Sequence, residues 1–367
     1  MAAFCLSVHA RYQCRHAGAC CQNWAVPAEP HVVEVVNARH LRRAGFTGTL
    51  FLSNSRGAQP KAWTIARDEH HDCVFFEREA EGLCVIHRDA GIDALPIACR
   101  HFPRKILHDS RGTFISLSHF CPTAARMLLA PASLAIVEAR PPLRLPAPVE
   151  GLDASGALPP LLRPGLLCDP AGYQAWEHRG IATFARGDLT FGECVDVIAA
   201  ATEALRLWKP GHESLAGKVW TAFDAAVPMK GSDIHAQKRA MAAVVALSAG
   251  RASDLSPIDR FEEHWERHVA GHFAAFDRPM RHYLAARLFA NWIAYQGRGL
   301  RSIVEWLRVC AAVVRHALLA RVLDSGSPPN EDDFVEAVRT ADLLLLHVIE
   351  TTSFARYVAA LEGSDPP

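Results

Sequence analysis

Eight of the eleven cysteines in this chain, Cys5, Cys14, Cys20, Cys21, Cys73, Cys84, Cys99 and Cys121, fall within its first 121 residues. Cys168, Cys194 and Cys310 are scattered over the other 246. Crowded thiols serve disulfides in an oxidising compartment, or metal and redox chemistry in a reducing one. The N-terminal MAAFCLSVHARYQC has no basic segment ahead of its short apolar run, unlike a signal peptide. The longest uncharged stretches, such as residues 112–125, fall short of the ~18–20 residues that cross a bilayer. A cytoplasmic chain without a membrane partner is expected. Its clustered thiols then read as ligands, and the three scattered ones as small buried hydrophobes.

Four segments carry the clustered thiols. They are Cys14-Arg-His-Ala-Gly-Ala-Cys20-Cys21, then Cys73-Val-Phe-Phe, Cys84-Val-Ile-His87 and Pro96-Ile-Ala-Cys99-Arg-His-Phe-Pro103, with Cys121-Pro122 after them. Thiolates are soft anionic donors that suit zinc, iron or an iron–sulfur cluster. Gly18 fits a loop wrapped so tightly that a Cβ finds no room or φ turns positive. Cys121 stands where it would cap a helix begun by Pro122, whose amides favour a thiolate. Residues 1–130 hold 15 Lys and Arg against 11 Asp and Glu, too small an excess to balance seven bare thiolates. Cations among them are expected. The metal set is therefore Cys14, Cys20, Cys21, Cys73, Cys84, Cys99 and Cys121; either two ions or one multinuclear cluster is bound, or some of these thiols are spectators. Imidazoles at His16, His70, His71, His87, His101 and His119 are available for a mixed shell, with His16 and His87 nearest to cysteines. Arg100 and Arg104 flank Cys99. They either neutralise thiolates or face a cleft and grip the carboxylate of a cofactor at two points.

The rest of the chain is organised differently. Residues 62–66 and 113–118 read as strands, and 31–44 as a helix entered through Pro30. Eight of the 23 prolines lie between residues 131 and 165, which predicts an extended connector without elements. From residue 171 onward, apolar spacings of three and four predict helices over 189–208, 214–226, 236–248, 259–276, 283–296, 302–322 and 331–361. Asn330 supplies the last with a cap and an acidic first turn. The expected fold is α+β and mainly α. A cysteine-rich metal-binding domain (1–130) and a connector (131–170) precede an α-helical bundle (171–367).

The cysteine segments resemble those of the CxxCxxCC family of zinc- or iron-chelating proteins, in CRHAGACC, CVFF, LCVIH, P-x-x-C-R-x-F-P and the late Cys121-Pro. The layout is similar, more narrowly, to the flagellin lysine-N-methylase branch, in CCQNW, GIDALPIACRHFP and LSHFCPTAARMLL. A weaker likeness continues through YLAARLFANWIAY and EDDFVEAVRTADLLL. This resemblance implies a metal- or iron–sulfur-binding protein that transfers methyl groups from S-adenosylmethionine to lysines of a flagellin-like protein partner. There is one departure. Ala17 stands where the family's first motif carries a further cysteine, so either one ligand is missing or Cys5, His9 or His16 replaces it.

Other chemistries leave weaker marks. Lys and Arg equal Asp and Glu at 39 each, with no dense basic run, so a nucleic-acid partner is not expected. No glycine-rich dinucleotide turn, phosphate loop or C-x-x-x-C-x-x-C radical motif occurs. His264 and His268 lie four apart on a helix but lack the order of a zinc-protease motif. Three classes remain: the methylase, a non-catalytic metallochaperone or sensor, and a structural zinc module in an interaction protein.

Overall fold

The computed structural model describes residues 2–15, 17–18, 21–22, 24–53, 63–78, 83–139, 151–228, 236–248 and 257–362. The fold is mainly α with a smaller share of sheet. The first part runs β1 (Ala3–Leu6), β2 (Pro27–Ala28), α1 (Pro30–Ala38), β3 (Phe51–Ser53), β4 (Trp63–Ile65), β5 (Phe76–Glu77), β6 (Leu83–Cys84), α2 (Val85–Ala90) and α3 (Ile97–His101). It continues through β7 (Arg104–Asp109), β8 (Gly112–Leu117), α4 (Pro122–Met127), β9 (Ile136–Glu138), β10 (Leu152–Asp153), β11 (Leu161–Arg163) and β12 (Leu166–Leu167). Helix α1 stops short of the expected Ala44 because His40 turns the chain at a φ of 53°.

Five strands form one sheet in the order β10-β7-β8-β1-β9. β7 and β8 make a hairpin pairing Arg104 with Leu117 and Asp109 with Gly112, while β1 runs parallel to β8 and antiparallel to β9. The proline-rich stretch was expected to hold no element, yet its described part contains β9 to β12. Two of them, β9 and β10, are the sheet's outer strands, where an unpaired N–H side tolerates nearby proline.

The helical part comprises α5 (Pro170–Phe184), α6 (Phe191–Leu205), α7 (Leu215–Ala225), α8 (Ala236–Leu247), α9 (Phe261–His268), α10 (Asp277–Leu288), α11 (Ile293–Gln296), α12 (Leu300–Ser325), α13 (Glu331–Asp342) and α14 (Thr351–Glu362). Their starts are built locally. Asp169, Thr190, Ser214 and Asn330 each accept a hydrogen bond from an amide of the first turn, and Glu193 and Asp333 complete capping boxes. Three expected helices are broken. Residues 270–276 form a 3₁₀ turn after α9, Ala290 takes a φ of 53° between α10 and α11, and Leu343–Val348 is a π-helical turn between α13 and α14.

Side chains alternate across the sheet with period two. Leu6, Leu107 and Phe114 join an apolar core that continues through α5 to α14, as far as Val358. Cys5, Ile115 and Leu117 pack on the opposite face with Tyr12, Cys121 and Ala124. A separate apolar cluster lies within residues 21–95, from Cys21 to Leu95. The expected division into 1–130, 131–170 and 171–367 thus meets cores that group the chain otherwise, since the sheet shares one with the helices.

Candidate functional site

The cysteines occupy two adjoining places. Cys21 and Cys73 are buried, and the Cys73 amide donates to the Cys21 carbonyl at 2.7 Å. Phe76, whose amide donates to the Cys73 carbonyl, pairs with Cys84 across β5 and β6. Cys84 and Cys99 pack against the same apolar cluster. Gly18 belongs to this fold of the chain: its φ is +73°, and a Cβ there would lie 2.6 Å from the Phe76 ring. The second place surrounds Tyr12, whose hydroxyl is 3.6 Å from Cys121 Sγ and whose ring lies 5.7 Å beneath the Arg104 guanidinium. Cys14 is exposed there, close enough to raise the pKa of Tyr12 and of Cys121. Trp24 and Phe102 stack at 5.9 Å between the two places.

Cys20, an expected ligand, and His16, an available imidazole, lie outside the described residues. Among the described residues no group of three or more His, Cys, Asp or Glu side chains could hold a metal ion. Cys121 occupies the cap position of α4 as expected, but the anticipated thiolate bias is outweighed. Burial raises its pKa more than the Ala124 and Thr123 amides lower it. Cys5, one stand-in for the missing ligand, is fully buried on the sheet, and burial pushes its thiol up to about 11. His9, another, turns instead to His119. His70 is exposed. Cys168, Cys194 and Cys310 are buried in the main core, as small hydrophobes would be.

Two arginines near the cysteines carry buried N–H groups left over from the hydrogen-bond pattern of the described residues. Arg67 donates through Nη1 to the Cys21 carbonyl at 2.6 Å, while its buried Nη2 and the buried Nε of Arg104 have no hydrogen-bond partner among the described residues. Cationic N–H groups left beside thiols are what a thiolate-bound centre of net negative charge would satisfy. Arg104 is mostly removed from water, which lowers its pKa, with Tyr12 and Cys14 acting in the opposite direction. Arg100 lies in the last turn of α3, next to Cys99 in the chain.

A buried polar network joins the sheet to the helices, and nothing local in the sequence announced it. His9 Nε2 lies 3.0 Å from His119 Nε2, and His119 Nδ1 lies 3.2 Å from Asp342 Oδ2. The carboxylate fixes the proton of His119 on Nδ1, so His9 must donate through Nε2. Asp342 also accepts from the His119 amide at 2.5 Å and from the Tyr283 hydroxyl at 2.9 Å. Arg287 Nη1 is 3.5 Å from the same carboxylate, and Nη2 donates to the Leu117 carbonyl at 2.5 Å. Burial works to raise the Asp342 pKa, but Arg287 and His119 hold it well below the usual range. Burial also depresses both imidazoles, leaving them neutral.

His347, in the π-helical turn, is the meeting point of the two halves. Its Nε2 is 2.9 Å from Ser118 Oγ, and Trp24, Phe102 and Phe120 stand 5.1, 6.1 and 5.8 Å from its ring. Those three aromatics come from three different cysteine segments. Burial first, then the Lys105 charge, depresses its pKa to about 4. An imidazole in the apolar run LLLLHVIE was its only sequence signal. A wider recess of about 910 Å³ lies along α6 and α7, lined by Trp208, His212, Lys218 and Val227 among others but by none of the cysteine segments. No family model matches the chain, and neither a curated protein nor a solved structure matches it.

Proposed function

We propose that this protein binds a thiolate-ligated metal centre, zinc or iron ions or an iron–sulfur cluster, through Cys14, Cys20, Cys21, Cys73, Cys84, Cys99 and Cys121. On this reading residues 1–130 are a cytoplasmic metal-binding module set against the helical part. The observation that carries it is the approach of Cys21 and Cys73, hydrogen-bonded backbone to backbone, with Cys84 and Cys99 packed on the same cluster. The unpartnered Arg67 and Arg104 nitrogens supply charge complementary to bound thiolates. When bound, such a centre supplies Lewis-acid or electron-transfer chemistry. The chain's own residues position it: Gly18 lets the first segment close over Phe76, and Trp24 and Phe102 exclude water between the two groups of thiols.

The activity we propose is methyl transfer from S-adenosylmethionine to lysines of a flagellin-like protein, with Arg100 and Arg104 holding the donor's carboxylate. It rests on the resemblance of the cysteine segments. A second reading, metal binding without catalysis, is favoured by the complete burial of His9, His119 and Asp342, none of which reaches solvent. Anaerobic purification with metal analysis and an absorption spectrum tests the centre: bound zinc or iron, or a band near ~400 nm, is expected. Incubation with labelled S-adenosylmethionine and flagellin separates the two readings, since only a methylase transfers label to lysine.

A further inference from the structure

β7 places Lys105 on the helix-facing side of the sheet, opposite Ser116 of β8. Its ammonium lies 4.6 Å from the centre of the Trp292 ring. Beside it is a cavity of about 20 Å³ lined by Lys105, Ser116, Arg287, Asn291 and Trp306 among others. That exceeds the ~10–15 Å³ needed for one ordered water. Lys105, Trp292, Leu346 and Thr351 are partly exposed at its mouth, whereas Ser116, Arg287, Asn291 and Trp306 are buried.

Around this cavity the Lys105 charge is the unbalanced one, Asp342 being the counter-charge of Arg287. Two cations line it and, among the described residues, no carboxylate does. Asp342 is the only anion ion-paired with Arg287 among the described residues, at 3.5 Å, and it already serves His119 and Tyr283. Arg287 is 4% exposed, and its buried Nε has no hydrogen-bond partner among the described residues. A buried guanidinium N–H without an acceptor beside a second cation is unfavourable unless an anion completes it. The Lys105 amine registers the same imbalance, depressed to about 8 by burial and by Arg287.

We propose that Lys105 and Arg287 form a binding site for a small monocarboxylate, which enters past Lys105 and accepts one hydrogen bond from the lysine ammonium and one from Arg287 Nε. A carboxylate matches two donors arriving from different sides, because it offers two oxygens. Trp292 bounds the site on its apolar side. The site does not rest on the metal reading, since none of the cysteines is among the described residues that line it.

Formate is the probe. Formate titrated at fixed ionic strength, against a bulky sulfonate as balancing salt, is expected to raise the thermal midpoint saturably and to broaden the carbon-13 formate resonance, with millimolar affinity. Lys105→Met, which leaves Asp342 and Arg287 paired, should weaken binding at least tenfold. Arg287→Lys can fail to fold, so the second readout is the titration of the Lys105 amine, which formate should shift upward. Absence of saturation, an unchanged Lys105→Met response, or chloride competing as well as formate would overturn the assignment.

Discussion

Arg104 and Lys105 are consecutive in the chain and point to opposite faces of β7. Arg104 pairs with Leu117 and lies over Tyr12 beside the cysteines, while Lys105 pairs with Ser116 and lies over Trp292 among the helices. One peptide bond thus separates the thiol-rich face from the anion cavity. The two cations should be separable by mutation. Arg104→Ala is expected to spare formate binding and weaken the donor, with metal retained; Lys105→Met should do the reverse. Metal analysis and donor and formate titrations on both variants check this. If Arg104→Ala sheds metal instead, the arginine serves the thiolates and not a donor.

Replacement of Cys73 or Cys84 by Ser should abolish stoichiometric metal, whereas Cys168→Ser should retain it, because Cys168 lies in the main apolar core. Metal content per chain after anaerobic purification decides it. Equal content in all three variants would remove Cys73 and Cys84 from the centre.

Stability should fall between about pH 6.5 and pH 4. His347 in the folded chain has its pKa depressed to about 4, below the ~6.5 of an unfolded histidine, so the unfolded chain binds more protons in that window. Stability therefore rises with pH there, by up to about 3 kcal/mol from this group. His9 and His119 act in the same direction. Urea midpoints measured across the window should flatten in His347→Gln.

Asp342→Asn should destabilise the fold by roughly 3–5 kcal/mol, since it strips Arg287 of its buried counter-charge. Tyr283→Phe removes one hydrogen bond to the same carboxylate and should cost about 1.5–3 kcal/mol. Chemical denaturation of both ranks them; a larger loss for Tyr283→Phe would contradict the assignment of the charge to Arg287.

Gly18→Ala should cost roughly 1–3 kcal/mol, from the left-handed backbone and the approach of Phe76. Phe76→Leu in the same chain should recover only the part due to crowding. Limited proteolysis of the N-terminal third reads the difference.

Helix starts were legible because they are local. Asn330 caps its helix as expected, and Asp333, three residues on, completes a capping box. Gly18 was legible for the same reason. Helix α5 was not: Glu177 sits on its buried side, against Arg111 at 2.9 Å and the Ala290 amide at 3.0 Å, which breaks the apolar pattern. Nor could the His9–His119–Asp342 network be read, since its members are brought together from distant parts of the chain and each alone looks like an ordinary polar residue. His347 stood out only as an imidazole among leucines. The sheet escaped notice because β1 is the four-residue run AFCL and its neighbours in the sheet come more than a hundred residues later.

That position of β1 has a consequence for synthesis. Ala3–Leu6 lies inside the sheet, between β8 and β9, so it is made more than a hundred residues before either neighbour. Its backbone groups wait for Thr113–Ile115 of β8 on one side and for Ile136–Glu138 of β9 on the other, and its helix-facing side chains wait longer still. A strand left open for so long during synthesis is a natural place for a chaperone to hold.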